Sequence, residues 1–562
     1  MTRSEPATFD GFVHADGGRL VDGQGRPRLL RGVGLGNWLL TEGYMWGFDD
    51  AGPQSPRQIE AFIDDLIGST AAVTFWRTFR ERFITETDIE QIAAAGLDHV
   101  RLPINARLII DDSGRLAEEG IALVDRLIEW CRTHRLWVVL DLHGAPGGQT
   151  GTNIDDSPRG LPDLFLKGGA YRDLTVRLWE ELARRYRDEP VVAGYDLLNE
   201  PLPNDYQDRL APDLVVLYRD LTDAIRRVDP NHLIIYEGTH WSTNWSIFTE
   251  VWDRNSMLQF HKYWSPPDRP SIARFIQTGQ RLGLPIYMGE GGENNLDWLQ
   301  TAFQLYEDCA ISWNFWPWKK LATVTSPRSV RPPAGWDSIR AYAEGRGPRP
   351  SEVATRSALA HLLEGIRLER TKDRFEVVNA ILRRIPVCLP ASGFGFGGRG
   401  VAYDTRSAAP MTDFRSDDAV TIRLASGPAG QAPAFDHTDG RPRAAHERLE
   451  VVLNAGEWLT YEIEVLAAGR IRVQVVGTWP SPPQGQMPTI RVGPASLEGS
   501  VIRGGVEATS SAPIPAGLHS IRITARAPGT VIGSINVEPT TGSPVRHPPK
   551  RRQVVVKESA GQ

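Results

Sequence analysis

Eight short apolar segments, each followed by a helical pattern, occur between residues 29 and 316. Continuous apolar runs are typical of parallel strands that are buried on both faces, and intervening helices are typical of βαβ units. The expected strands are Leu29–Leu35, His99–Ile104, Leu136–Leu142, Val191–Leu198, Leu233–Glu237, Met257–Phe260, Pro285–Met288 and Ile311–Trp316. Eight successive units of this kind predict an α/β fold, the (β/α)8 TIM barrel.

Polar side chains stand where most of these strands end. Asn199 and Glu200 follow the fourth strand, and Glu290 follows the seventh. The other candidates at strand ends are Glu42, Arg101, His143, His261, Tyr263 and Trp316. Because such barrels carry their active sites at the carboxyl ends of the strands, we expect these residues to meet in one cleft. Two glutamates from two strand ends suit hydrolysis of a glycosidic bond, one as proton donor and one as nucleophile or base.

Charge and hydropathy argue against several other classes of function. The 562-residue chain has a formal net charge of −6, so nothing points to nucleic acid or to an anionic membrane as a partner. No apolar run is long enough to span a membrane, and residues 1–16 contain no apolar signal core. As written, the chain is expected to be cytoplasmic, and a signal sequence removed beforehand would make it secreted.

A metal site is the main alternative explanation for the histidines. His143, His240 and His261 could bind zinc together with Glu200 or Glu290. The sequence has no HExxH spacing, however, and each of these candidates comes from a separate loop. We therefore expect neither a metal ion nor any other cofactor.

The composition of the chain changes near residue 385. Downstream of residue 385, Gly, Thr, Ser and Val dominate and short alternating strands appear, which is typical of a β-sandwich. We expect a catalytic barrel over 1–384, a jelly-roll-like β-sandwich over 385–540 and a disordered tail over 541–562. Residues 319–355 are rich in Pro, Arg and Gly and are expected to form a long loop.

Five motifs of the barrel occur together in this one chain. They are His99-Val-Arg-Leu-Pro, Leu140-Asp-Leu-His-Gly-Ala-Pro-Gly, Leu197-Leu-Asn-Glu-Pro, Phe260-His-Lys-Tyr and Met288-Gly-Glu. In this combination the barrel resembles glycoside hydrolase family 5, over about residues 20–370. The segment from Gly36 to Glu42 is similar to the part of exo-β-1,3-glucanases that carries a substrate-binding glutamate, although Asn37 stands where a glycine is usual.

The resemblance implies a retaining mechanism with two assigned glutamates. Glu200 would be the acid/base and Glu290 the nucleophile. It implies substrate contacts for the remaining candidates, namely Glu42, Arg101, His143, Asn199, His261, Tyr263 and Trp316. Glu42 would bind the outer hydroxyls of a terminal sugar, which favours exo action on β-1,3-glucan, oligosaccharides or small β-glucosides.

The C-terminal part has a resemblance of its own. The segments Phe396–Asp404, Gly456–Tyr461 and Pro515–His519 are similar to carbohydrate-binding modules of families 6 and 35. Such modules bind sugar, often with paired aromatic residues, and a purely structural or dimerising sandwich is the alternative.

Three further interpretations of the whole chain remain open. The apolar segment Tyr44–Phe48 near the cleft would suit an endo-acting β-glucanase or a glycolipid β-glucosidase. A non-enzymatic alternative is a sugar-binding protein on an inactive barrel. Inactive relatives usually lose one catalytic carboxylate, and here both Glu200 and Glu290 are present.

Overall fold

A closed barrel of eight parallel strands forms the N-terminal part of the chain, as the sequence predicts. The computed structural model describes residues 6–406, 411–427, 431–479 and 487–540, so the expected tail over 541–562 lies outside the described residues. The barrel strands are β1 (Arg31–Gly34), β2 (His99–Asn105), β3 (Trp137–Gly144), β4 (Val192–Asp196), β5 (Leu233–Glu237), β6 (Ser256–His261), β7 (Ile286–Gly292) and β8 (Ser312–Trp316). Consecutive strands are neighbours, and β8 closes the barrel on β1.

Helices surround the barrel and connect its strands. The helices of at least two turns are α1 (Pro56–Ile67), α2 (Ser69–Phe83), α3 (Glu86–Ala94), α4 (Glu118–His134), α5 (Ala170–Tyr186), α6 (Ala211–Arg226), α7 (Arg269–Leu282), α8 (Leu296–Asp308), α9 (Trp336–Ala343), α10 (Glu352–Gly365) and α11 (Phe375–Leu382). None of the helices within the described ranges combines the length and the apolar character that crossing a membrane requires.

Local sequence signals fix where these helices begin and end. The side chain of Asp268 accepts a hydrogen bond from the backbone of Ser271, Pro270 occupies the first turn of α7, and Gly283 ends the helix at φ 64°.

The apolar stripe of α4 is buried against the barrel at Ile121, Val124, Leu127, Ile128 and Cys131. Strand β2 is buried along its whole length, because the barrel interior covers one face and helices cover the other.

The prediction of a long loop over 319–355 is wrong. This stretch contains the short strands Lys319–Leu321 and Arg328–Val330, helix α9 and the start of α10. The reason is a tertiary contact, because the buried indole of Trp336 packs against Trp46 and Phe48. Proline and glycine residues, which suggested a loop, lie between the elements and not inside them.

The C-terminal part is a curled antiparallel sheet of eleven strands, which agrees with the predicted sandwich-like β-fold. Alternate side chains of its strands are buried, for example in Leu449–Leu453 and Ile471–Thr478. The other strands are Val387–Pro390, Tyr403–Asp404, Thr421–Leu424, Trp458–Val465, Thr489–Val492, Ala495–Ile502, Gly505–Thr509, Gly517–Thr524 and Thr530–Pro539. We refer to residues 387–539 as the sheet domain; the division into separate domains over 1–384 and 385–540 stays a prediction.

Two aromatic residues, Trp458 and Tyr461, lie in one of the segments that resemble carbohydrate-binding modules. The Tyr461 side chain is buried, and its hydroxyl donates to the carbonyl of Ala391 at 2.7 Å. The Trp458 ring is covered by the guanidinium of Arg522, at 3.8 Å from the ring centroid. Tyr461 is therefore part of the core, and one face of Trp458 is occupied by Arg522; sugar binding by this domain stays a prediction.

Buried ion pairs join the sheet domain to the barrel at the end opposite to the strand carboxyl ends. The carboxylate of Glu307 accepts a hydrogen bond from Arg31 of β1 at 2.6 Å and one from Arg383 at 2.6 Å. Arg383 also donates to Glu462 of the sheet at 2.8 Å. Because a buried charge is costly without its partner, this junction should be stable only when every member is present.

We expect Glu307→Gln to lower the free energy of unfolding by about 3–5 kcal/mol, because it leaves two buried guanidinium groups short of a partner. The matched control is Glu364→Gln, which removes a carboxylate from an exposed ion pair and should cost about 0–1 kcal/mol. Denaturant titration measures both. Equal stabilities of the two variants would contradict this account of the junction.

The carboxylate of Glu307 should also make the free energy of unfolding depend on pH. Burial opposes ionisation of Glu307, but Arg383 and Arg31 outweigh it and lower its pKa from the usual 4.5 to about 2. A lowered folded-state pKa contributes stability that is complete above the unfolded pKa and is lost as the pH falls toward the folded pKa. The stability difference between wild type and Glu307→Gln should therefore narrow between pH 4.5 and about 2.

Candidate active site

The guanidinium of Arg101, a residue of β2, is fully buried and binds residues of three other strands or their ends. Its Nε donates to Asp196 at 2.8 Å, and its Nη1 donates to Glu290 at 2.9 Å. Its Nη2 donates to the side-chain oxygen of Asn199 at 2.8 Å and to Glu237 at 3.1 Å. A planar group with five donors in a fixed geometry thus holds the ends of β4, β5 and β7 in register.

Arg101 stays charged in spite of its burial. Burial disfavours the cation, but the carboxylates of Asp141, Asp196, Glu237 and Glu290 together raise its pKa well above the usual range. The barrel end therefore contains one permanent positive charge that is surrounded by acidic groups.

Glu200 follows β4 in a strained backbone conformation. Its φ is 43°, in the left-handed region that residues other than glycine rarely adopt. The conformation is held because the Glu200 backbone N–H donates to Glu237 Oε2 at 2.8 Å, and because Pro201 follows directly. Strain of this kind is often concentrated at functional sites, where it fixes the direction of a side chain.

His261 contacts the Glu200 carboxylate from β6. The two groups are joined by a hydrogen bond of 2.7 Å between His261 Nδ1 and Glu200 Oε1. Burial disfavours a charge on His261, yet Glu237, Glu290 and Glu200 raise its pKa well above the usual range. Whenever Nδ1 carries a proton, in the charged imidazolium or in the neutral ring, His261 donates to Glu200 and orients that carboxylate.

Glu290 lies in β7 and is held by two donors. Tyr263 donates its hydroxyl to Oε1 at 2.6 Å, and Arg101 donates to Oε2 at 2.9 Å. Burial raises the pKa of Glu290 and the charge of Glu200 adds to that effect, whereas His261 and Arg101 act in the opposite direction. Both donors favour the ionised carboxylate, which is the form that can act as a nucleophile.

The two glutamates approach each other closely. One carboxylate oxygen of Glu200, one of Glu290 and a ring nitrogen of His261 all lie within 4.8 Å of one another. Within the described residues this is the one group whose geometry would also suit a metal ion. Hydrogen bonds to His261, Tyr263 and Arg101 already account for the arrangement, and the expectation of no metal stays a prediction.

A cavity of about 660 Å³ opens above these carboxylates, which is a size typical of small-molecule sites. Seven of the residues predicted from the sequence line it: Glu42, His143, Glu200, His261, Tyr263, Glu290 and Trp316. The other two, Arg101 and Asn199, are fully buried beneath it. The structure thus brings all nine candidates to one end of the barrel; their individual roles stay predictions.

Trp316 and His143 form one wall of the cavity. Their rings stack with centroids 5.6 Å apart and an interplanar angle of 5°. The indole N–H of Trp316 donates to the hydroxyl of Tyr44 at 2.9 Å. Glycines make room for this indole, because a Cβ on Gly34 or Gly36 would lie 2.5 or 2.6 Å from its ring atoms. Close packing therefore explains the glycines of the first strand.

Glu42 is buried at another side of the cavity, with 2% of its surface exposed. Asn153 donates to its Oε2 at 3.4 Å. Burial raises the pKa of Glu42 well above its usual value, and Glu290, Glu293 and Glu200 add to this effect, whereas Lys320 acts against it. A buried carboxyl group with so few protein partners is well suited to bind hydroxyl groups of a ligand.

Several residues of the site were not singled out from the sequence. Glu237, which holds the Glu200 backbone, ends a predicted strand and could have been found by the same criterion as the other candidates. The ion pair between Lys320 and Glu293 also lines the cavity, but nothing in the sequence brings these two residues together.

Comparisons with known proteins place this chain among glycoside hydrolases of one family. Residues 63–321, which include both glutamates, match the model of the family described as cellulase, glycosyl hydrolase family 5. A protein named beta-xylosidase from Phanerodontia chrysosporium is 30% identical over 348 residues, which cover 55% of this chain and 71% of that protein. A probable glucan 1,3-beta-glucosidase A from Emericella nidulans is 32% identical over 279 residues, covering 46% of this chain and 66% of that protein. A solved structure described as endogalactoceramidase covers 92% of this chain and all of that one (100%), with 17% identity and a TM-score of 0.46.

We expect Tyr263→Phe to move the acid limb of the kcat/KM profile to higher pH. Loss of the donated hydrogen bond destabilises the ionised form of Glu290, so its pKa rises further. At the optimum, kcat/KM should fall about 10- to 100-fold, since a hydrogen bond to a charged group contributes about 1.5–3 kcal/mol. The control is Tyr342→Phe, which removes a hydroxyl that bonds Asp65 on the protein surface. An unchanged acid limb would contradict the role of Tyr263.

Proposed function

Because this chain belongs to glycosyl hydrolase family 5, we propose that it is a retaining β-glycosidase that removes single sugars from the non-reducing ends of its substrates. The proposed substrates are β-1,3-glucan, its oligosaccharides and small β-glucosides. The observation that carries the proposal is the buried pair of Glu200, which follows β4, and Glu290 of β7, with one carboxylate oxygen of each within 4.8 Å of the other.

The separation of the carboxylates supports a retaining mechanism. Retaining enzymes place their two carboxyl groups about 5–5.5 Å apart, whereas inverting enzymes need about 6.5–9.5 Å to hold a water molecule between carboxylate and sugar. One oxygen of Glu200 and one of Glu290 lie within 4.8 Å of each other, which supports the closer spacing of retaining enzymes. At this distance the second carboxylate attacks the anomeric carbon directly.

The proposed reaction has two steps. In the first, Glu290 forms a bond to the anomeric carbon while the bond to the leaving oxygen breaks, and Glu200 gives its proton to that oxygen. In the second, Glu200 takes a proton from water, whose oxygen displaces Glu290 and restores the free carboxylate. Tyr263 and Arg101 stabilise the Glu290 carboxylate before attack and after release. His261 keeps Glu200 directed at the leaving oxygen.

The sugar ring would lie against the indole of Trp316, which lines the cavity together with both glutamates. Asn199 is the proposed partner of the sugar 2-hydroxyl. Its side-chain oxygen is already bound by Arg101, so only its amide N–H groups remain for a ligand. One of these approaches His143 Nε2 at 3.3 Å, which leaves the other to donate to the substrate.

Exo action on glucosides is supported by two observations. The buried Glu42 offers a carboxyl group to the hydroxyls of a terminal sugar at one side of the cavity. One of the relatives is named as a glucan 1,3-beta-glucosidase. The relative named beta-xylosidase favours xylosides as a second candidate, and parallel assays on aryl β-glucosides and aryl β-xylosides decide between the two.

The mechanism predicts that the first-formed product keeps the β-configuration, which proton NMR detects before the anomers equilibrate. Glu290→Gln removes the nucleophile and should abolish turnover. Glu200→Gln should still form the covalent intermediate from an aryl glycoside with a good leaving group, because such a group needs little protonation. The intermediate should accumulate, and added azide should restore turnover by attacking without a base.

The stereochemical result is decisive for the assignment of Glu290. An initial α-product from a β-glycoside would show that the carboxylates act by inversion. Azide rescue of Glu290→Gln, with none for Glu200→Gln, would show that the two roles are exchanged.

Glu42→Ala should mainly weaken binding of the terminal sugar, by about 1–3 kcal/mol for hydroxyl groups of the sugar left without a hydrogen-bond partner. The control is Glu90→Ala, which changes an exposed glutamate of α3 and should leave binding unchanged.

Wild type should release single sugars from a β-1,3-glucan with little early loss of viscosity. Rapid loss of viscosity with few single sugars would favour endo action instead.

A further inference from the structure

One residue of the sheet domain, Thr438, lines the same cavity as Glu200 and Glu290. It belongs to the long connection between the strands Thr421–Leu424 and Leu449–Leu453. The proposed reaction uses only barrel residues, so it gives this contact no role. The sheet domain nevertheless reaches the mouth of the active site.

The segment from Phe435 to Gly440, here called the sheet-domain segment, is attached to two loops of the barrel. At one end, the side-chain amide of Asn294 donates to the carbonyl of Phe435 at 2.7 Å. At the other end, a Cβ on Gly440 would lie 2.7 Å from Val324 Cγ2 and 2.8 Å from Thr325 Cγ2. Only a glycine permits this close approach, so the segment is fitted to the barrel surface.

Side-chain packing also fixes the segment. The Phe435 ring is buried, packs against Phe414 with centroids 4.9 Å apart, and is covered by Arg443 at 4.8 Å. His437 is 2% exposed. Between these buried positions and Gly440, Thr438 is exposed and faces the cavity. The sheet-domain segment is therefore held by packing on both sides of Thr438, whose side chain lies at the cavity.

The barrel loops that contact the sheet-domain segment also carry residues that line the cavity. Asn294 directly follows Glu293, and Val324 follows soon after Lys320 in the chain. Glu293 and Lys320 form an ion pair that lines the cavity, and both groups act on the ionisation of Glu42. The two loops that contact the sheet-domain segment therefore also carry this ion pair, which is the link from the segment to the Glu42 side of the cavity.

We propose that the sheet-domain segment closes the terminal-sugar end of the active site, with Thr438 contacting a hydroxyl-rich pyranose directly. The inference rests on the proposed exo function and deepens it. The barrel supplies the chemistry, and the sheet domain limits the number of sugar units that fit beyond the bond that is cleaved. Thr438 is a specificity-determining residue, and its ligand is the sugar on the non-reducing side of that bond.

Thr438→Trp in the full chain tests the contact between Thr438 and the sugar. The substrate is an aryl β-glucoside or an aryl β-xyloside, whichever wild type cleaves. The indole would fill the sugar site, so KM should rise at least about tenfold while kcat changes less than about threefold. The control is Thr509→Trp, at an exposed position at the end of a sheet-domain strand that does not line the cavity, and it should leave KM unchanged. A purely structural role of Thr438 would alter stability in denaturant titration without this separation of KM from kcat.

Thr438→Val gives a second measurement that does not depend on accommodating an indole. It keeps the shape of the side chain and removes the hydroxyl, so KM should rise about threefold if the hydroxyl binds sugar. If KM stays within about twofold of wild type for both Thr438 variants, the proposed contact is wrong.

An aryl glycoside of the β-1,3-linked disaccharide tests the closed end. Wild type should release one sugar first and the aryl group only after a lag. Phe435→Ala removes a packed side chain of the sheet-domain segment, so this variant should release the intact disaccharide and the aryl group without a lag. If the variant keeps the lag, the segment does not close the site. If wild type itself releases the disaccharide directly, exo function fails, while the KM test of Thr438 still decides whether the sheet domain contacts sugar.

Discussion

The active site depends on one buried cation. Arg101 is the group to which the ends of β4, β5 and β7 are all bound, and its removal would leave acidic groups at the barrel end without their shared partner. Its charge is maintained because the surrounding carboxylates outweigh the cost of burial. The geometry needed for hydrolysis of a glycosidic bond therefore follows from an electrostatic requirement of the fold itself.

The two glutamates differ because their surroundings differ. Glu290 is bound by two donors that favour a carboxylate, which suits a nucleophile. Glu200 accepts from His261 and is held in a left-handed backbone conformation by Glu237 beneath it. The different surroundings of these two chemically identical side chains support the different roles that we propose for them.

The sequence predicts much of this arrangement and misses identifiable parts of it. Strand ends could be found because parallel strands are apolar along their length and stop at polar residues, as at Glu200 and Glu290. The helix at Trp336 was missed because a tertiary aromatic contact, not local propensity, determines it. The position of Thr438 could not be predicted, since it depends on how two parts of the chain meet.

The central claim is that Glu290 forms a covalent bond with the sugar. A 2-deoxy-2-fluoro-β-glycoside with a good leaving group tests it most directly, because the fluorine slows release of the intermediate more than its formation. Mass spectrometry of the intact protein and of its peptides should show one fluoroglycosyl group, attached to Glu290. A label on Glu200, or turnover of the parent substrate with no adduct on any residue, would contradict the account.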